Sequence, residues 1–276
     1  LMEVCRMRDT PVIVFINKMD REGKDAFDLL DEIESKLSIK VKPMSWPIGI
    51  GATFKGVYNL HKKELNLFSG NKTSIEKEVY NLNGIQDPSL SDFIGEEATE
   101  VLKEEVELID GVYGDFNQEK YLEGKVAPVF FGSALNNFGV QELLDSFIEV
   151  SPTPLGRNTE SRSVEPNEEK FSGFVFKIHA NLDPKHRDRI AFLRVVSGRF
   201  ERNKFYRHIR LEKKMKFPNP TSFMAQDKSV IEYAYPGDVI GLYDTGNFKI
   251  GILYIQILIF YFSVFFLTRK LSKKID

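Results

Sequence analysis

The chain has 276 residues, with 38 lysines and arginines against 40 acidic residues and 42% hydrophobic residues. That balance excludes a disordered or collagen-like chain, and the length suits two domains that each bury a core. A net charge of −2 supplies no overall pull towards nucleic acid, so any contact with RNA must come from a local patch. The single cysteine, Cys5, excludes an internal disulfide and a cysteine-based metal cluster, and reads as a small buried hydrophobe in a reducing compartment. Leu1 opens the chain and no signal-peptide pattern follows it, so the sequence reads as a truncated fragment.

In chain order, Leu1 to Arg8 is helical and is broken at Asp9-Thr10-Pro11. The run Val12 to Ile16 is continuous, apolar and β-branched, which predicts a strand buried on both faces of a parallel sheet. A helix follows from Asp25, its N-cap, to Leu37, with Phe27, Leu30, Ile33 and Leu37 at helical spacing. Residues 41–82 alternate like strands between turns at Pro47, Gly49, Gly51 and Gly56, and read as an insertion. A long helix is predicted from Pro88 to Ile109, with the acidic stretch Glu96, Glu97, Glu100, Glu104, Glu105 and Glu107 as a solvated face. Trp46 reads as core packing. A second buried strand spans Ala127 to Phe131, and a short helix Val140 to Glu149.

These elements place an α/β domain, a parallel sheet with helices, at residues 1–150. Residues 151–169 hold three prolines and few apolar side chains, which marks a linker. Over 170–251 the period shifts to two. Strands are predicted at Phe171–Ile178, Ile190–Val196, Lys204–Arg210 and Val239–Leu242, with turns at Ser197-Gly198 and Pro236-Gly237-Asp238, which together predict an antiparallel β-barrel. Residues 252–276 break with this pattern. Ile252 to Leu267 is almost wholly apolar, interrupted by Gln256 and Ser263, and is closed by Arg269, Lys270, Lys273 and Lys274. The segment is shorter than the roughly twenty apolar residues a spanning helix needs. It reads as a non-native tail of the kind a frameshift leaves, with a membrane segment as the alternative.

The chemistry concentrates at two strand ends. The first buried strand delivers Asn17-Lys18-Met19-Asp20 at its carboxyl end, where parallel α/β sheets bind ligands. A carboxylate at Asp20 can accept hydrogen bonds from the N1–H and exocyclic N2–H of guanine, which adenine does not offer. A site whose buried groups are left unpaired by the wrong base discriminates strongly. Lys18 can lay its methylene stem along the base with its ammonium in water, and Asn17 can tie the loop to a neighbouring segment. Ser133-Ala134-Leu135 follows the second strand, where small residues let backbone N–H groups approach the guanine O6.

This pairing resembles the translational GTPases, most closely the bacterial peptide chain release factor 3 family. The likeness continues through Leu1–Pro11, Arg21, Trp46–Gly49, Phe54–Tyr58, Pro128–Leu135, Phe138–Val140, Phe171–Ile178, Asp183–Arg189 and Tyr235–Asp238 and ends near Gly251. It implies a GTP- and GDP-binding factor of the cytoplasm. Its partners would be the ribosome and the class I release factors that it recycles after peptide release, with no DNA and no membrane. It also implies Asn17, Lys18, Asp20, Ser133, Ala134 and Leu135 as the base pocket. The sequence departs from the family in having no Gly-x-x-x-x-Gly-Lys-Ser/Thr phosphate loop: Gly23-Lys24 and Gly124-Lys125 are followed by Asp25 and Val126. Without that loop and the switch elements nothing cradles phosphates or Mg²⁺, so Mg²⁺ is expected only in the intact protein and no GTP hydrolysis is expected of this chain.

The remaining candidates are a turn and the rival functions. His179, Asp183 and His186 could ligate a metal on paper, but an exposed basic turn is the simpler reading. With Lys185, Arg187 and Arg189 that turn is either a solvated loop or a contact for ribosomal RNA phosphates, and the resemblance favours the contact. The rival functions are an elongation-factor-G-like GTPase, a non-enzymatic ribosome-binding fragment and a membrane-anchored protein.

Overall fold

The computed structural model describes residues 1–68, 78–159, 162–180, 189–224, 227–251 and 253–256. The chain divides into two compact units, Leu1–Pro152 and Thr153–Asp276.

The first unit begins with α1 (Met2–Arg6), β1 (Val14–Ile16), α2 (Ala26–Leu37) and β2 (Lys40–Pro43). Four strands follow: β3 (Ser45–Ile48), β4 (Gly56–Asn59), β5 (Glu64–Leu67) and β6 (Glu78–Asn81). Then come α3 (Leu90–Ile94), α4 (Glu96–Tyr113), α5 (Gln118–Leu122), β7 (Val126–Phe131) and α6 (Val140–Val150). β1, β7 and β2 form a parallel sheet in that order, while β3 to β6 form an antiparallel meander. β2 thus belongs to the parallel sheet, and what reads from the sequence as one insertion starts only after Met44. There the chain turns from one sheet to the other, with the Met44 N–H donating to the Val129 carbonyl at 2.8 Å.

Helix α2 starts where the sequence places it, because the Asp25 carboxylate accepts from the Phe27 N–H at 2.8 Å. Its Ala26 and Leu30 join Val41, Trp46, Val129 and Phe131, and Leu102, Val106 and Ile109 of α4, in one core. Trp46 is fully buried, with Phe27 and Phe131 at ring-centroid distances of 4.6 and 5.5 Å.

Several expectations are corrected by the packing. The predicted long helix is two helices, because Gly95 at φ +84° ends α3 and caps α4, and Pro88 lies ahead of both. No L side chain adopts that conformation cheaply, so the break is local and set by the glycine. The acidic face is not wholly solvated: Glu105 is half-buried and accepts the Trp46 indole N–H at 2.8 Å. Burial pushes its carboxyl up, against the opposing pull of the indole N–H. β1 is an edge strand, so Val14, Phe15 and Ile16 are half-buried rather than sealed on both faces. Cys5 is likewise only partly buried.

The second unit opens with a small hairpin inside the proline-rich stretch, β8 (Arg157–Asn158) with β9 (Ser163–Val164). Arg162 braces it with two bonds to Glu168, at 2.6 and 2.8 Å. The longest strands are β10 (Ser172–Ala180) and β11 (Arg189–Ser197). They are followed by β12 (Phe200–Glu201), β13 (Phe205–His208), β14 (Lys213–Lys216) and β15 (Thr221–Met224). The last four are β16 (Asp227–Val230), β17 (Tyr233–Ala234), β18 (Val239–Tyr243) and β19 (Leu253–Gln256). Eight of them form one antiparallel sheet, in the order β14-β13-β19-β10-β11-β18-β15-β16, and β12 pairs with β17. Phe171, Val175, Leu193, Phe200, Tyr206 and Leu242 lie in its core. The segment after Gly251 does not leave the fold at once: the backbone of β19 sits between β10 and β13. The rest of the apolar tail lies outside the described residues.

Charge is divided as sharply as structure. Leu1–Pro152 carries 16 basic and 27 acidic residues, a net −11, whereas Thr153–Asp276 carries 22 basic and 13 acidic, a net +9. The near-neutral total conceals this opposition.

Candidate functional site

β1 and β7 run parallel in register, Ile16 opposite Phe131, so their carboxyl ends release two loops side by side. Backbone bonds lock the loop bases: Gly132 N–H to the Ile16 carbonyl at 3.0 Å, and Met19 N–H to the Gly132 carbonyl at 3.1 Å. The Met19 side chain is buried in the core, and its carbonyl accepts from Gly51 N–H at 2.9 Å. Gly132 must be glycine, because a Cβ there would lie 2.3 Å from the Phe138 carbonyl oxygen and 2.9 Å from the Phe15 ring.

Above this base some of the residues predicted from sequence converge. Asn17 Oδ1 accepts from its neighbour Lys18 N–H and from Ala134 N–H, both at 2.8 Å. One amide therefore joins loops 117 residues apart, the tie expected of it. The bond to Lys18 also holds that residue at φ +70°, a left-handed conformation that costs a non-glycine residue about 1–3 kcal/mol. Ser133 is buried and pairs with Phe138 through two backbone bonds of 3.0 Å, closing the second loop. The Asp20 carboxylate lies beside it. The Ser133 hydroxyl, above all, holds that carboxyl below the usual carboxylate range, helped by Asn136 and Arg21 and against some burial.

The structure thus brings together Asn17, Asp20, Ser133 and the backbone of Ala134. Lys18 and Leu135 stand on the same loops with exposed side chains, Leu135 at 70% exposure. Sequence reasoning missed Asn136, whose Nδ2 donates to Ser133 Oγ at 2.8 Å and to Asp20 Oδ2 at 3.3 Å. The signal was its place three residues after Ser133, since residues three apart eclipse in a 3₁₀ turn. A carboxylate acceptor at the joined ends of two loops suits a planar ligand edge that offers hydrogen-bond donors.

Other candidates separate from this site. A cavity of about 560 Å³ lies elsewhere in the first unit, lined by Ile48, Lys55, Gly95 and Glu105 among others, and none of the predicted residues lines it. Among the described residues no group of three or more His, Cys, Asp or Glu could hold a metal ion, so no residue here is assigned to Mg²⁺. Asp183, Lys185, His186 and Arg187 lie outside the described residues. Among the described residues no helix is long and apolar enough to cross a membrane.

Fold and loops together define a mixed α/β domain of the GTPase type followed by an antiparallel strand domain. Residues 1–153 match the Elongation factor Tu GTP binding domain and residues 170–252 match Elongation factor G domain 2. The chain belongs to the translational GTPase family, whose first domain is a GTP-binding domain. A crystal structure of a protein from Thermus thermophilus shares the fold over 93% of this chain, with a TM-score of 0.63 at 21% identity. This chain spans 37% of the length of that protein.

Proposed function

We propose that this chain carries the guanine-reading part of a translational GTPase that acts in peptide chain termination, recycling class I release factors from the ribosome in the cytoplasm. Asp20 accepts the N1–H and N2–H of the base in GTP or GDP. Ser133, Ala134 and Leu135 complete the pocket on the O6 side, Lys18 covers the base face, and Asn17 holds the two loops in register through the Ala134 N–H. The observation that carries this reading is the Asn17 amide joined to Ala134 N–H at 2.8 Å, which makes one pocket of two strand ends. The domains fall at 1–150 for the GTPase part, 151–169 for the linker and 170–251 for the barrel, with 252–276 as a non-native tail. Without that tail the second unit still carries a net +6, which supports contact with ribosomal RNA. Phosphate chemistry and Mg²⁺ need a phosphate loop that these 276 residues do not contain, so this polypeptide binds the base without hydrolysing GTP.

The match of residues 170–252 to Elongation factor G domain 2 favours a second reading, an elongation-factor-G-like GTPase. Ligand-observed NMR with guanosine and adenosine monophosphates tests the base pocket: a guanine preference above about tenfold is expected, and equal binding refutes it. Release of a class I release factor from termination complexes by the gene product, without stimulation of translocation, separates termination from elongation. The reverse result selects the second reading.

A further inference from the structure

We infer that Asn136 is a positioning residue that fixes the orientation of the Asp20 carboxylate and thereby sets the preference of this pocket for guanine over hypoxanthine; this rests on the reading of Asp20 as the base reader. An asparagine Nδ2 carries two hydrogens and accepts none. One hydrogen goes to Ser133 Oγ at 2.8 Å and the other to Asp20 Oδ2 at 3.3 Å. With an oxygen lone pair filled by Asn136, the Ser133 hydroxyl is left to donate, and its effect on Asp20 is that of a donor. Asp20 is therefore faced by two hydrogen-bond donors, which favour its ionised form as the acceptor. Protonation takes away part of that acceptor capacity.

The backbone makes this arrangement rigid. Ser133 precedes a single 3₁₀ turn, Ala134–Asn136, closed by the Asn136 N–H to the Ser133 carbonyl at 3.1 Å. Asn137 then leaves the turn at φ +53°. The i and i+3 side chains of such a turn stack, which puts Asn136 over Ser133 and against Asp20. A carboxylate has about four acceptor sites. Ser133, the Asp20 N–H and Asn136 engage some of these and fix how the carboxylate is turned, and the sites they leave free meet the N1–H and N2–H donors of guanine. Hypoxanthine has N1–H but no exocyclic amine, so it uses one of them. Loss of Asn136 frees the carboxylate to rotate, and the geometry that rewards the second donor is lost first.

The test uses the full chain and its Asn136→Ala and Asn136→Asp variants, with guanosine and inosine monophosphates as probes, titrated by saturation-transfer NMR between pH 4 and 8. Circular dichroism establishes that each variant is folded. If the alanine protein does not fold, the isosteric aspartate variant supplies the reading. In Asn136→Ala the guanosine affinity falls about tenfold and the inosine affinity less, so their ratio drops about threefold, as expected for one hydrogen bond misaligned. The pH below which guanosine binding is lost also rises, because Asp20 has lost a donor. Asn136→Asp moves that pH further up, since two carboxylates side by side do not both ionise readily. An equal fall for both probes, with an unmoved pH midpoint, leaves Asn136 a loop-structure residue and overturns the inference. A wild-type chain that binds guanosine no better than adenosine monophosphate overturns the guanine reading itself, and this inference with it.

Discussion

Replacing Asn17 by alanine tests whether two loops released by separate strands act as one pocket. Asn17 Oδ1 makes two hydrogen bonds, each 2.8 Å long, to Lys18 N–H and Ala134 N–H. An intramolecular hydrogen bond contributes about 0.5–1.5 kcal/mol net, so the pair holds the loops together with about 1–3 kcal/mol. Both donor residues are exposed, and water takes the place of the lost acceptor. The loss therefore falls at the lower end, about 1–2 kcal/mol, or a 5- to 30-fold weaker affinity for guanosine monophosphate. The fold survives, because the β1–β7 ladder and the Met19–Gly132 and Gly132–Ile16 backbone bonds do not involve the side chain. Ligand-observed NMR titration gives the affinity and thermal denaturation by circular dichroism gives the stability. Unchanged guanosine affinity in a folded Asn17→Ala protein refutes the coupling of the two loops. A large fall in melting temperature refutes it in another way, by showing that the amide supports the core rather than the pocket.

The remaining predictions concern stability. Two glutamates, one in each unit, have carboxyls drawn down to about 2: Glu32 by Lys24 and Lys36, and Glu168 by Arg162. Because the folded value lies below the ordinary 4.5 of the unfolded chain, their contribution is complete above 4.5 and disappears as the pH falls towards 2. Equilibrium denaturation across that window should show stability falling with acid. The slope should shrink in Glu32→Gln and in 0.5 M salt of about 4 Å screening length, since these are surface pairs; a slope indifferent to both speaks against these pairs as its source. Gly132→Ala forces a methyl to 2.3 Å from the Phe138 carbonyl oxygen and should destabilise the first unit by about 1–3 kcal/mol or more, as overpacking does. Chemical denaturation measures it, and a cost under about 0.5 kcal/mol would mean that the two strand ends can separate without penalty.

Local and periodic features were legible in the amino-acid order. The apolar run ending at Ile16 and the one ending at Phe131 specified parallel strands, because a sheet covered by helices needs continuous hydrophobic stretches. Asp25 specified a helix start, since a short acceptor side chain satisfies an orphan N–H wherever the following residues coil. The Asn-Lys-x-Asp and Ser-Ala-Leu segments specified where chemistry would lie, since both follow directly from strand ends. Elsewhere local pattern and structure parted. Strand character in Lys40–Pro43 and in Ser45–Ile48 looks alike in sequence, yet the first joins β7 and the second does not, because pairing partners are chosen by the packing of distant segments. Glu105 reads as one more charge on an acidic helix until Trp46, 59 residues away, donates to it. Asn136 carries no motif beyond its place three residues after Ser133. Its meaning arises only when β1 and β7 come together in the folded sheet and a 3₁₀ turn stacks it over Ser133, within reach of an aspartate 116 residues earlier. A hydrogen bond of that span is a property of the closed structure, since nothing in the neighbouring sequence of either residue encodes the distance between them.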